Sequence, residues 1–142
     1  MLLTNLAKIE EFLKEHHLLT LATSSDNLPQ VANLFFTYDK KEVVFLVASD
    51  FKTEHIKNVL KNPNVAGSVA LETSNVGKIQ GIQFKAIMSE GDSKDKEYYL
   101  RVFPFSRVMN PIIWKISLQE IKFTDNHLGF GKKLLWKKAK KG

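Results

Sequence analysis

Ser49, Lys52 and Thr53 are the residues whose types and spacing point most directly to chemistry. The apolar run Val43-Val44-Phe45-Leu46-Val47-Ala48 leads into Ser49-Asp50-Phe51-Lys52-Thr53-Glu54-His55-Ile56, so two hydroxyls and an ammonium arrive where a helix begins. A helix start offers unpaired backbone N–H groups and partial positive charge, and such a place can hold a phosphate. The same residues also fit a plain helix start, with Thr53 as its cap and Lys52 as a solvated charge.

Other chemistries find less support. His16 and His17 are adjacent, His55 lies in the first turn of the expected helix and His127 falls in a turn, so no pair has the spacing of a metal site. His55 could approach a phosphate, although a protonated imidazole at a helix start is unfavourable without an anion beside it. No G-x-S-x-G marks a nucleophile, and the absence of cysteine rules out disulfides, thiolate catalysis and iron–sulfur clusters. Arg107, one of two arginines, sits near a loop and fits either a surface role or an anionic substrate.

These residues must be positioned by a single folding unit. A chain of 142 residues that is 44% hydrophobic can bury one sizeable core. The net charge of +6 comes entirely from the last residues, because 132–142 hold six lysines and no acid. We read 1–131 as the domain and 132–142 as a lysine-rich tail. No recognition motif accompanies those lysines, so nucleic acid is not expected as a partner. No apolar stretch has membrane-spanning length and the beginning does not resemble a signal peptide, so no membrane is expected and the expected location is cytoplasmic.

Periodicity supplies the elements. Leu6, Ile9 and Leu13 share one face of a first helix over residues 4–15. Leu18 to Thr23, Gln30 to Tyr38 and Glu42 to Ala48 read as strands, separated by the turn signals Ser24-Ser25-Asp26-Asn27 and Asp39-Lys40-Lys41. Ile56, Val59 and Leu60 mark the buried side of a second helix that Asn62-Pro63 should stop. Val65 to Leu71 and Ile79 to Met88 are further strands, and Asp92 to Phe103 is helical up to Pro104. From Ile112 the apolar residues alternate, and their phase slips by one at Glu120, where a β-bulge would restore the buried face. The expected fold is therefore mainly β with peripheral helices, a six-stranded antiparallel barrel.

That order, with Ser49-x-x-Lys52-Thr53 before the second helix and Asn62-Pro63-x-Val65 after it, resembles the FMN-binding split barrel of the pyridoxamine 5'-phosphate oxidase-like superfamily. Gly81-Ile82-Gln83-Phe84-Lys85 and the stretch Glu120-Ile121-Lys122-Phe123-Thr124-Asp125-Asn126 with Leu128-Gly129-Phe130-Gly131-Lys132-Lys133 are similar to a bacterial subgroup, YhbP or UPF0306. The resemblance implies a homodimer binding FMN between its subunits. Ser49, Lys52 and Thr53 would hold the flavin phosphate, while Val47 and Ala48 would lie under the ring. Related proteins often add an arginine from the second strand, but Gln30 to Tyr38 offers only polar candidates such as Asn33. Gln83 would hydrogen-bond the flavin, or else face outward. Trp114 would cover the ring from the neighbouring subunit, or else serve as core or dimer interface. The activity implied is a flavin-dependent oxidoreductase using NAD(P)H or a small-molecule substrate, with no catalytic acid, base or nucleophile assigned. A nonenzymatic flavin carrier or sensor and a haem-binding split barrel are the alternatives.

Overall fold

The computed structural model describes residues 4–139. Three helices and seven strands follow in the order α1 (Asn5–Leu13), β1 (Leu18–Ser25), β2 (Leu28–Asp39), β3 (Val44–Ala48), α2 (Glu54–Lys61), β4 (Asn64–Ala70), β5 (Gln80–Glu90), α3 (Ser93–Val102), β6 (Ile113–Asp125) and β7 (Lys133–Lys137). All neighbouring strands pair antiparallel in the sequence β3-β2-β1-β4-β5-β6-β7. A further pairing of β3 with β6 closes the first six into the expected split barrel.

Local chemistry explains the joints. Asp26 and Asn27 take left-handed conformations (φ 52° and 63°) and join β1 to β2 through a two-residue turn, which side chains of this type tolerate. Along β5, Ile82, Phe84, Ala86 and Met88 are buried while Gln83, Lys85 and Ile87 face out, the period of a half-buried strand. On β4, a Cβ at Gly67 would fall 2.3 Å from the Thr20 carbonyl and 2.5 Å from the Phe84 ring. Only glycine lets Phe84 fill that part of the interior. Asp92 and Asp95 cap the start of α3 reciprocally.

The slip at Glu120 is a bulge. Lys85 faces Glu120 and Ala86 faces Leu118, which leaves Gln119 as the extra residue and moves burial from Ile116 and Leu118 to Ile121 and Phe123. The strand thereby serves three neighbours: β5 along one edge, then β3 and β7 in succession along the other.

Two sequence expectations change. The residues read as a tail from 132 onward include β7, because Leu134 and Trp136 pack against the core while Lys137 sits 3.4 Å from Glu120. Residues 140–142 of that stretch lie outside the described residues. On α2, Ile56 and Val59 are buried, but Leu60 is exposed rather than part of the same face.

The helices pack on different parts of the barrel, with Tyr99 and Leu100 of α3 against Val44, Leu46 and Ile113 on the outer face of β3 and β6. α1 packs Phe12 on Phe123 and reaches Tyr38 through Glu10. α2 ties to the far end of β1, where Asn58 donates to the Thr23 hydroxyl and Asn62 to the Ser24 carbonyl. Among the described residues no helix is long and apolar enough to cross a membrane.

Candidate functional site

β3 buries Phe45, Leu46 and Val47 and then releases Ala48 and Ser49 at the rim. Two bonds fix this exit. The Ser49 N–H donates to the Ile112 carbonyl at 3.0 Å, and the Trp114 indole N–H donates to the Ser49 carbonyl at 3.0 Å. The chain then turns tightly. Asp50 accepts the Lys52 N–H on its carboxylate at 2.8 Å, and its carbonyl accepts the Thr53 hydroxyl at 2.9 Å. Thr53 in turn caps α2 by accepting the Ile56 N–H at 3.3 Å.

His55 sits against both hydroxyls, its Nε2 2.6 Å from the Ser49 oxygen and 3.3 Å from that of Thr53. Burial pushes its pKa below the ordinary value, so the imidazole is neutral at pH 7 and adds no charge to the positive end of the helix. The N–H groups of Glu54 and His55, the first two of the helix, find no acceptor among the described residues. Lys52 is exposed beside them. A cleft of about 320 Å³ runs between Ala48–Asp50 and the segment from Ser106 to Ile112. The turn thus offers two backbone donors, the Ser49 hydroxyl and one exposed ammonium, the donor set of an anion site, beside the Asp50 carboxylate.

Other expected residues are placed differently. Trp114 is only 1% exposed and lies inside the barrel with Phe51 against its ring edge, so it supports the Ser49 turn from within and has no free face to cover a flavin. Val47 also points into the core. Asn33 and Gln83 lie on the outer wall, both exposed, in one register row with Thr20 and Ser68 between them. The Thr20 hydroxyl donates to Asn33 at 3.0 Å. Small residues, Ala22, Ala66, Ala70 and Gly81, flank that row and leave the wall shallow. Arg107 is exposed and paired with Glu97 at 3.2 Å.

Residues 6–102 match the family profile of pyridoxamine 5'-phosphate oxidase. The chain belongs to that family. Within it, the chain is 41% identical to a UPF0306 protein of Cronobacter sakazakii over 135 residues, covering 92% of this chain and 94% of the relative. It therefore falls in the UPF0306 group, as its motifs implied. Among solved structures, a heme binding protein from Mycobacterium smegmatis superposes with a TM-score of 0.78 at 9% identity, covering 96% of this chain and 59% of that one. A FAD-binding protein from Mesorhizobium loti gives 0.67 at 14% identity, covering 80% of this chain and 89% of that one. At such identities the likeness is one of fold.

In this member of the pyridoxamine 5'-phosphate oxidase family, His55 is the site residue that sequence reasoning left out. Its signal was present: an imidazole two residues after the capping Thr53 faces back toward the residues before the helix, where Ser49 lies. The charge argument, which treated the imidazole as protonated, hid it. Neutral and partly buried, His55 instead locks the hydroxyls that shape the turn.

Proposed function

We propose that the protein binds FMN noncovalently as a homodimer and acts as a flavin-dependent oxidoreductase on a small-molecule substrate, with NAD(P)H as a candidate donor. The observation that carries this reading is the convergence of the Ser49 hydroxyl, Lys52 and two unpaired N–H groups at the start of α2, where Thr53 is the cap, a donor set suited to a phosphate dianion. No arginine from β2 joins it, so Lys52 supplies the countercharge. Asn33 and Gln83 would present amides to the flavin from the outer wall, where the small flanking side chains admit a flat ring. A second copy is the partner expected over that wall, because Leu28, Val31 and Phe35 stand 64–70% exposed along β2. When bound, the flavin supplies two-electron redox chemistry; the chain holds its phosphate, orients it and limits water.

The visible spectrum of the purified protein is the decisive test. Oxidised-flavin bands, with bleaching by NADH or NADPH, support the enzyme; flavin bands without bleaching favour a carrier or sensor. A dominant Soret band would favour the haem reading that the M. smegmatis likeness keeps open. A colourless protein that ignores added FMN overturns all three. At residue level, Lys52→Ala should weaken FMN binding by about 1.5–3 kcal/mol while riboflavin, which lacks the phosphate, is unaffected. Fluorescence titration of both ligands measures this, and equal FMN affinities would return Lys52 to the solvated surface.

A further inference from the structure

A cleft of about 470 Å³ opens beyond the other end of β3, between α1, the last residues of β2 and the end of α3. Its base holds Glu10, a carboxylate only 9% exposed, and Tyr38, whose phenol donates to Glu10 Oε2 at 2.6 Å. Leu13, Phe36 and Phe103 supply apolar wall. Burial, then the bond to Glu10 and the negative charges of Glu10 and Asp39, push the Tyr38 pKa far above its ordinary value, so the phenol remains a neutral donor.

Glu10 has no countercharge among the described residues. Among the described residues no lysine, arginine or histidine nitrogen comes within 4.0 Å of its carboxylate, although Lys14 and Lys40 stand exposed at the edge of the cleft. Its second oxygen, Oε1, takes no hydrogen bond from those residues and is open to the cleft. A carboxylate so placed is free to take a cation or further donors from a ligand. The nearby apolar surface suits a ligand with a hydrocarbon body, in a cleft of ordinary small-molecule size.

We propose that this cleft binds a small primary ammonium compound, with N–H donors on Glu10 and an apolar body against Leu13, Phe36 and Phe103. An ammonium brings both the missing charge and the donor for Oε1. An amine carried on an aliphatic or aromatic group of a few carbons matches the cleft, whereas an anion would meet Glu10. The proposal is independent of flavin binding, since no residue of the Ser49 turn takes part.

Benzylamine, cationic at pH 7, and its neutral isostere benzyl alcohol are the probes, titrated into the full-length protein and followed by amide NMR shifts. Saturable shifts at Glu10 and Tyr38, with benzylamine bound at least tenfold more tightly than the alcohol, are expected. Glu10→Gln should abolish that preference. Tyr38→Phe keeps the carboxylate and should retain it, which preserves the test if Glu10→Gln folds poorly. Equal binding of the two probes, no saturable shift, or loss of the preference in Tyr38→Phe would overturn the proposal.

Discussion

The two ends of β3 carry polar clusters built in opposite ways. At the Ser49 end, hydroxyls and a neutral imidazole satisfy one another on a partly exposed turn, and the formal charges sit on the solvated side chains of Lys52 and Asp50. At the other end, where Tyr38 pairs with Phe45, the charge of Glu10 is buried and depends on one phenol. A solvated charge contributes little to stability and can be removed without touching the fold. A buried one is tied to the packing around it, so its partners matter more than its sign. The Ser49 end is thus open to change with little effect on the fold, while a change at the Glu10 end acts on the fold and on the proposed ammonium cleft together.

The strongest challenge to this contrast lies beneath the Ser49 turn. Trp114→Ala should lower stability by about 3–5 kcal/mol in urea denaturation, because a fully buried ring leaves a cavity. Trp114→Phe, which keeps most of the packing but removes the N–H held by Ser49, should lose only about 1–3 kcal/mol. No loss in Trp114→Phe would show that the turn gains nothing from that hydrogen bond. Tyr38→Phe comes next, at about 1–3 kcal/mol, since Glu10 loses its only described donor. The same substitution should alter the alkaline limb. The raised Tyr38 pKa contributes stability that is complete below the unfolded value of 10.0 and is lost as pH rises above it, so the wild type should weaken there more steeply than Tyr38→Phe.

His55→Gln should give the smallest effect. The lowered His55 pKa contributes stability that is present above the unfolded value of 6.5 and is lost as pH falls below it toward the folded value. Denaturation across that acid range should therefore be flatter in the variant. An unchanged slope would mean that the imidazole is freely solvated and that the Ser49 end holds itself together without it.

Much of the barrel was legible in the sequence because its strands obey a period of two. The phase slip at Glu120 even located the bulge at Gln119. β7 was hidden because Lys133 and Lys137 frame only three consecutive apolar residues, Leu134, Leu135 and Trp136, with no alternation, and the charge run outweighed them. At the candidate site, Ser49, Lys52 and Thr53 were readable from type and spacing, since a helix start is a local matter. Trp114 was not, because a strand pattern fixes which residues share a face but not which neighbour fills the space beyond. The outward placement of Gln83 follows from its alternation with Ile82 and Phe84, a period that its buried neighbours obscured.

The seam between β3 and β6 also orders events in time. Hairpins such as β1–β2 join residues close in the chain, but Val44 must wait for Ser117 and Val47 for Trp114. Closing so long a loop lowers the folding rate, because its entropy is lost before the contacts form. During synthesis the Ser49 turn emerges early, yet the indole that holds its carbonyl is still unmade. An N-terminal fragment ending before β6 would carry Ser49, Lys52 and Thr53 without the strand that braces them, so the turn takes its final shape only after the ring has shut.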